Sequence, residues 1–522
     1  MNSAQNSAIE TPLLNDREVV VRRAGRGGIA VAAAKLYFIL VGLVQQIVLP
    51  RVLGAVGYGG LSRVFSLTSI AYNSVVSTSI QGTSRVVARS SLEDRPAMIR
   101  KVLRWHSLVA VPLGLTVGLG APLICHWLNA SHLVSAFRIM GGVFLFYALY
   151  APIVGVINGQ QRFLTQAGLD ITFATLRTVA MIAGAWWFVR NRSWGVNGAV
   201  SGFVVAAAIV TLLAALVAGI GRSGPTKLNA RQYLGYILPL FAGQILLNAL
   251  LQLDITLLGK FAADAADKLG MAASSADAIV ASYRATQLFS FLPYQLLLSI
   301  TFILFPLLAK AHREGNQRDV ALFIESGLRL ALIVAGAIIT VTAGIPGALL
   351  RIVFTSDIAE PAVRSMGLLT LGFGSFAIFG ILTTVLTSLQ KERASALVTA
   401  LAVTLVVILS LIFVRGQPFG VDLLWRMAIA TSCGLVLATC TASYLVYRFT
   451  GAVVNMLAFI RVGTALALAI LLGRLLSPHG FIRTIGTALL LELVYVAFLV
   501  LTRELKRADS DRLLSFVRRR PT

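Results

Sequence analysis

The chain has 522 residues, of which 57% are hydrophobic and only 13% are charged, and its formal net charge is +24. Soluble domains carry about 25% charged residues, so this composition excludes a water-soluble enzyme and a disordered basic protein. A nucleic-acid-binding surface needs a dense array of cations, whereas most of this chain is apolar, and we expect no nucleic-acid partner. The class that remains is a protein that crosses a membrane many times.

Apolar stretches long enough to span a bilayer recur along the whole chain. A hydrocarbon core of about 30 Å requires roughly 20 apolar residues per helix. Fourteen stretches meet this requirement, at 29–50, 61–84, 105–125, 139–159, 167–189, 197–219, 234–258, 284–308, 326–346, 364–388, 394–414, 426–447, 457–474 and 484–502. The connectors are short except for 260–282, an Ala- and Ser-rich segment expected to form a flexible outer loop. The sequence therefore predicts an all-α polytopic membrane protein whose function lies between its helices.

The distribution of basic residues predicts the orientation of these spans. Lys and Arg concentrate in the two tails and the even-numbered connectors: six lie in 85–104, whereas one lies in 51–60. Such residues remain on the cytoplasmic side of a membrane, so both termini are expected in the cytoplasm. Basic clusters on that face are expected to bind anionic membrane lipids.

Weak self-similarity predicts an internal repeat. A shift of 221 residues aligns Arg63 with Arg284, and a shift of 226 aligns Arg138 with Arg364. Two halves of six spans each have the same orientation, which predicts a parallel pseudo-twofold repeat with a cavity between two lobes. The predicted organisation is a cytoplasmic tail (1–28), an N-lobe (29–220), a C-lobe (221–450), two appended spans (451–502) and a basic cytoplasmic tail (503–522).

Metal chemistry finds no support in the sequence. The three cysteines and five histidines are scattered, and none has the Cys-x-x-Cys or Cys/His spacing of a metal site. No disulfide framework is visible either. We therefore predict no metal site and no cofactor, apart from coupling to Na⁺ or protons.

Charged residues inside the spans are candidates for binding, since a charge at a helix centre costs at least ~2.5 kcal/mol on insertion. Arg63 and Arg284 occupy matching places in spans 2 and 8, where they either line the cavity or extend to the interface. Lys35 in span 1 either receives an anionic headgroup or extends to the inner interface. Asp170 and Arg177 lie seven residues apart on one face of span 5 and could share a polar, cavity-facing stripe. In that stripe Arg177 is a candidate for substrate binding and Asp170 a candidate for ion coupling.

Asp254 is the most suggestive carboxylate, because it lies in the apolar segment LLQLDITLLG of span 7. One interpretation is that it binds Na⁺ or a proton and couples transport to an ion gradient. The alternative is a structural ion pair with Arg284.

Neutral polar residues recur every four positions in two spans and so form stripes on single helix faces. They are Asn73, Ser77 and Gln81 in span 2, and Gln244, Asn248 and Gln252 in span 7. Isolated polar residues commonly join membrane helices to one another. Two Asn/Gln stripes instead favour a water-filled cavity in which sugars find hydrogen-bond partners.

Several segments resemble the polysaccharide-export branch of the multidrug/oligosaccharidyl-lipid/polysaccharide exporter superfamily. They are VLPRVLGAVGYGGLSRVFSL (48–67), INGQQRF (157–163), GVNGAVSGF (195–203) and SYRATQLFSFLPYQLLLSITFILFPLLA (282–309). The resemblance covers roughly 29–450. It implies two six-helix lobes that flip a lipid-linked oligosaccharide across the bacterial inner membrane by alternating access. A polysaccharide polymerase or another export protein is an expected partner.

The substrate that the resemblance implies depends on which branch of the superfamily the chain is most similar to. The lipid II flippase branch also has fourteen spans, but it carries an arginine in span 8 where this chain has Gln287. The resemblance therefore favours an O-antigen, capsule or exopolysaccharide unit on a polyprenyl diphosphate over peptidoglycan, and lipid II remains the alternative. A drug or cation antiporter of the same superfamily is a further alternative, although it favours an acidic pocket.

A membrane enzyme is the remaining class of function. A polysaccharide polymerase or an O-antigen ligase is expected to present catalytic side chains on a large outer loop. The loop 260–282 contains no His and no Arg. We therefore predict that the protein is not an enzyme.

Overall fold

A chain within a bilayer must satisfy its backbone N–H and C=O groups internally, which helices and closed barrels do. Accordingly, the computed structural model is helical, with no strand among the residues that it describes. These are residues 33–505, except 35, 192–193, 227, 298–299, 302–303 and 453–454. The predicted tails 1–28 and 503–522 lie outside the described residues, apart from 503–505.

The helices follow the apolar stretches in chain order. The first helix, α1, is described over Leu36–Arg89. The others are α2 (Arg95–Trp127), α3 (Val134–Gly159), α4 (Phe163–Arg192), α5 (Gly195–Ala218), α6 (Ala230–Asp267), α7 (Ser275–Ser290), α8 (Leu292–Arg313), α9 (Gln317–Gly344), α10 (Pro346–Val353), α11 (Ser356–Ser388), α12 (Glu392–Phe413), α13 (Asp422–Thr450), α14 (Met456–Leu476) and α15 (Phe481–Leu501).

The predicted spans map onto these helices. Within the described ranges, 12 helices are long and apolar enough to cross a membrane. Predicted spans 1 and 2 both lie in α1, and predicted span 8 is divided between α7 and α8, neither of which is among the 12. The prediction of an all-α polytopic membrane protein is confirmed. The pseudo-twofold repeat stays a prediction, although α3 and α11, which are six spans apart, are the most buried spans of their respective halves.

Helix α1 differs from the two separate spans that the sequence predicts. Its 54 described residues would extend about 80 Å as a straight helix, more than twice the hydrocarbon thickness. A kink at Gly54, which has φ 68° and ψ 177°, interrupts the helix. This conformation strains any residue that carries a Cβ atom, so the glycine allows two spans to follow each other with a one-residue break.

Predicted span 8 is broken at Phe291, where α7 ends and α8 begins. Pro293 lies in the first turn of α8. A proline has no N–H to continue the helical hydrogen bonds of the preceding turn. The break therefore follows from the sequence Phe291-Leu292-Pro293.

The outer connector is much shorter than the flexible loop predicted over 260–282. Helix α6 continues to Asp267 and α7 begins at Ser275, which leaves a short connector of 268–274. Alanine has the highest intrinsic helix propensity, and the Lys260 ammonium lies 3.0 Å from the Asp264 carboxylate one turn later. Both features extend α6 beyond the apolar segment.

The chain forms two compact units, an N-terminal unit (Met1–Asn248) and a C-terminal unit (Ala249–Thr522). The boundary falls inside α6, whereas the sequence places the end of the N-lobe at residue 220. The difference arises because the first half of α6 packs on α1 and α2. For example, the Arg85 guanidinium lies 4.0 Å from the centre of the Tyr236 ring.

Helix α3 is central to the N-terminal unit and packs against α1, α2 and α5. Helices α4 and α5 approach each other most closely at three glycines. A Cβ atom on Gly202 would overlap the Ala180 carbonyl, and Gly184 and Gly198 face each other in the same way. Small residues spaced four apart allow such close packing of membrane helices.

Helix α11 is central to the C-terminal unit, where it packs against α7, α8, α9 and α13. The two appended spans, α14 and α15, pack on α9 through a cluster that includes Leu332, Val462 and Tyr495. They are therefore an integral part of this unit.

Candidate functional site

Asp254 lies in the interior of the C-terminal unit with 1% of its surface exposed. Its carboxylate accepts hydrogen bonds from the Tyr283 hydroxyl at 3.0 Å and from the Gln287 amide at 2.7 Å. The Ile255 backbone N–H donates to the other carboxylate oxygen at 2.8 Å. On its far side, the Tyr283 hydroxyl lies 3.3 Å from the Thr431 hydroxyl. All three donors to the carboxylate are neutral.

The direct ion pair between Asp254 and Arg284 that the sequence suggested is not formed in this structure. Arg284 donates from Nη1 to Oε1 of Gln287 at 3.1 Å, and Gln287 donates from Nε2 to Asp254. The two neighbours fix the orientation of the amide, since a guanidinium only donates and a carboxylate accepts. We refer to Asp254, Tyr283, Arg284, Gln287 and Thr431 as the Asp254 network.

This environment suits a carboxylate that changes its ionic state. A buried charge is costly unless it is paired, and the hydrogen bonds from neutral groups offset only part of that cost. Uptake of a proton or binding of Na⁺ would remove the imbalance. No group of three or more His, Cys, Asp or Glu side chains suited to a metal ion occurs in the described part of the chain.

A second cation, Arg177, is half-buried and lies on α4 in the N-terminal unit among aromatic rings. Its guanidinium carbon is 4.9 Å from the centre of the Phe38 ring and 5.8 Å from the centres of the Phe173 and Phe203 rings. Cation–π contacts of this kind stabilise a desolvated cation by about 0.5–2 kcal/mol. We refer to these four residues as the Arg177 site. Asp170 lies two turns earlier on the same helix and is half-buried.

Arg63 differs in its contacts and burial from Arg284, its predicted counterpart in the repeat. It is 2% exposed and donates from Nη2 to the carbonyl oxygen of Leu128 at 2.8 Å. Leu128 follows the last residue of α2, where carbonyl groups lack helical partners and favour a cation. Arg63 therefore caps the C-terminal end of α2 in this structure.

The polar stripes are only partly buried. Asn73 and Gln244 are half-buried, and Gln81 is exposed. Asn248 is buried, and its amide donates to the Gln244 carbonyl at 2.8 Å and to the Ser74 hydroxyl at 3.3 Å. The side chain of Lys35 lies outside the described residues.

A hydrogen-bonded contact between α1, α2 and α6 was not predicted from the sequence. His106 Nε2 lies 2.8 Å from the Tyr233 hydroxyl, and His106 Nδ1 lies 3.4 Å from the Ser79 hydroxyl. The Tyr233 hydroxyl also lies 3.4 Å from the Thr83 hydroxyl. We refer to these residues as the His106–Tyr233 contact. No local pattern links positions separated by more than 100 residues, so sequence reasoning had no signal for it.

Comparison with known proteins identifies the family to which this chain belongs. A family model described as polysaccharide biosynthesis protein matches residues 24–312, which is more than half of the chain. The chain belongs to this family. The resemblance noted from the sequence is thereby confirmed. A search of curated proteins gives no match.

Solved structures share the fold at low sequence identity. The lipid II flippase MurJ in an inward closed conformation matches with a TM-score of 0.74 and 13% identity, covering 91% of this chain and 99% of that chain. An inward-facing multidrug resistance MATE transporter of the MOP superfamily gives 0.63 and 15%, covering 83% and 96%. A MOP superfamily transporter from Pyrococcus furiosus gives 0.55 and 16%, covering 85% and 96%. These solved structures are of transporters and flippases, and this member of the polysaccharide biosynthesis protein family is a multi-pass membrane protein that shares their fold.

Proposed function

We propose that this protein moves a polyprenyl-diphosphate-linked oligosaccharide across the bacterial inner membrane by alternating access, with both termini in the cytoplasm. The oligosaccharide would be an O-antigen, capsule or exopolysaccharide unit. Membership of the polysaccharide biosynthesis protein family supports a saccharide substrate. The fold that the chain shares with a lipid II flippase supports a lipid-linked one.

The observation that carries this proposal is the presence of two arginines without carboxylate partners in the predicted spans 5 and 8. Within the described residues, neither Arg177 nor Arg284 forms an ion pair with Asp or Glu. A diphosphate carries about two negative charges and binds guanidinium groups through paired hydrogen bonds. Half-buried cations that contact aromatic rings or a neutral amide are therefore available to an anionic headgroup.

The Asp254 network would link binding of the substrate headgroup at Arg284 to binding of a proton or Na⁺ at Asp254. A diphosphate bound to Arg284 would compete with Gln287 for the guanidinium N–H groups. Gln287 would then be free to reorient, which would change the hydrogen bonds that Asp254 receives. Because coupling between two binding sites is reciprocal, protonation or Na⁺ binding at Asp254 would in turn change the affinity of Arg284 for the headgroup.

Lipid II is the second candidate substrate, and the shared fold and nearly complete coverage of the lipid II flippase favour it. Both candidates carry a diphosphate, so the cations do not discriminate between them. A drug or cation antiporter is the third alternative. Two intramembrane arginines without carboxylate partners would repel a cationic substrate, which places that alternative last.

A reconstituted assay tests the proposal. The protein is placed in liposomes that contain a fluorescent polyprenyl-diphosphate oligosaccharide, and transfer between leaflets is followed by chemical quenching from outside. We expect transfer that is abolished by Arg177→Gln together with Arg284→Gln. Arg190→Gln, on an exposed position of α4, and Lys310→Gln, on an exposed position of α8, are matched controls that should leave transfer unchanged.

The result identifies the substrate class. Transfer of lipid II alone, with no transfer of other polyprenyl-linked oligosaccharides, would replace the first candidate with the second. Transport of a cationic drug without transfer of either lipid would contradict the proposal.

A further inference from the structure

The C-terminal unit contains a cavity that shares no residue with the Asp254 network. Its volume is about 610 Å³, and its wall is formed by the last turn of α9, the short helix α10, the first half of α11, the first turn of α13 and the end of α14. Ligand pockets commonly have volumes of about 300–1,000 Å³. All these helix ends belong to the side of the membrane that the sequence predicts to be outer.

Three arginines line the cavity: Arg351 from α10, Arg364 from α11 and Arg474 from α14. No Asp or Glu is among the lining residues. The Arg351 guanidinium lies 2.8 Å from Glu360, and the Arg364 guanidinium lies 3.0 Å from Asp422, both at the exposed surface. These two pairs leave the third cation, Arg474, as the net positive charge of the cavity.

Arg474 has no carboxylate partner within the described residues. Its Nη2 atom lies over Gly367, where an added Cβ would be 3.4 Å away. The guanidinium thus lies beside Gly367 on the wall of the cavity. A cation that is positioned but unneutralised favours an anionic ligand, and guanidinium groups match phosphate oxygens in geometry.

The rest of the cavity wall is apolar and suits a lipid. Leu368 and Leu371 of α11 and Ile470 of α14 contribute to it, and the Trp425 ring lies 5.0 Å from the Arg364 guanidinium carbon. Tryptophan is enriched at the level of the lipid headgroups, where one end of the ring is apolar and the other is wet. The cavity therefore combines a phosphate-binding edge with a surface for an acyl chain.

We propose that this cavity binds the headgroup of an anionic phospholipid, with Arg474 as the principal contact of the phosphate. The bound lipid would connect α14 with α10 and α11 at the outer ends of these helices. This site is additional to the transport of a lipid-linked oligosaccharide, and its existence does not depend on that proposed function.

Binding of short-chain phosphatidylglycerol to the full-length protein in neutral detergent tests this inference. We expect one molecule per chain by native mass spectrometry. Arg474→Gln should weaken binding about tenfold, since a charge-assisted hydrogen bond contributes about 1.5 kcal/mol or more. Gly367→Val, which fills the cavity without changing its charge, should weaken binding as well. Arg483→Gln, an exposed position of α15 outside the cavity, is the matched control and should bind like the wild type.

Two further measurements distinguish the contribution of the phosphate from that of the acyl chains. Diacylglycerol, which lacks the phosphate, should not bind. Inorganic phosphate should bind far more weakly than phosphatidylglycerol, because it cannot contact the apolar wall. Equal binding of diacylglycerol, equally tight binding of inorganic phosphate, or equal losses in Arg474→Gln and Arg483→Gln would each overturn the inference.

Discussion

The Gln287 amide nitrogen lies 2.7 Å from the Asp254 carboxylate, and the oxygen of the same amide accepts from Arg284 at 3.1 Å. One neutral side chain thus connects the buried carboxylate of Asp254 with the half-buried guanidinium of Arg284. A direct ion pair would neutralise both groups and leave neither for an ion or an anionic headgroup. The intervening amide keeps them apart while making the state of one depend on the other.

Asp254→Asn is expected to remove the dependence of transport on an ion gradient. The amide has nearly the same shape as the carboxylate but carries no charge for a proton or Na⁺ to neutralise. We expect oligosaccharide transfer in liposomes to become insensitive to an imposed pH or Na⁺ gradient, while expression remains normal.

Asp264→Asn is the matched control for this experiment, because Asp264 lies on the same helix in a partly exposed ion pair with Lys260. It should retain the gradient dependence of the wild type. A gradient response that persists in Asp254→Asn would exclude Asp254 as the coupling residue.

Gln287→Leu is expected to uncouple substrate binding from ion binding and to lower the thermal stability of the protein. The change removes a hydrogen bond from the Asp254 carboxylate, and an unsatisfied buried group costs about 1–3 kcal/mol. We expect a lower thermal unfolding midpoint in detergent, and an ion response that no longer changes when substrate is added. Gln295→Leu, at an exposed position of α8, should preserve both properties. If added substrate still changes the ion response of Gln287→Leu as in the wild type, Gln287 does not couple the two binding events.

Tyr233→Phe is expected to loosen the first half of α6. The substitution removes the hydroxyl that contacts His106 and Thr83, and a net hydrogen bond contributes about 1 kcal/mol. Hydrogen–deuterium exchange should therefore become faster in the segment 230–240. Tyr236→Phe is the control, because the contact of Tyr236 with Arg85 is made by its ring. If both variants exchange at the same rate, the His106–Tyr233 contact does not hold α6.

Glu504→Gln is expected to weaken the attachment of α14 and α15 to α9. The Glu504 carboxylate is 4% exposed and lies 2.7 Å from Arg329 of α9 and 3.0 Å from Arg461 of α14. Losing a buried partner of two cations should cost about 2 kcal/mol or more. The unfolding midpoint should fall, and it should fall no further in the double variant with Arg329→Gln. Glu314→Gln, in an exposed pair with Lys310, should have little effect.

The spans were predictable because membrane insertion depends on local properties. The length and hydropathy of an apolar stretch decide whether it crosses the bilayer, so each of the fourteen predicted stretches corresponds to all or part of a helix. Local chemistry also explains the break at Pro293. The kink at Gly54 and the extension of α6 to Asp267 were missed, since both depend on where a helix ends rather than on how apolar it is.

The candidate site was only partly predictable. Asp254, Arg177 and Arg284 stood out because a charge in an apolar span is costly. Their partners did not: Phe38 is an ordinary apolar residue in the sequence, and Gln287 was noted for the arginine that it replaces and not as a partner of Asp254. Arg63 looked equivalent to Arg284 in the repeat, yet it caps α2 through the Leu128 carbonyl.

Composition and the spacing of apolar stretches determined by themselves that this is a polytopic helical membrane protein, and four segments between residues 48 and 309 indicated the family. Only the tertiary structure decided which charges are paired. Ion pairs and hydrogen bonds such as Arg329 with Glu504 join positions 175 residues apart, and distances of that kind are set by helix packing. Hydropathy acts on each segment alone, whereas the partner of a buried charge depends on every helix around it.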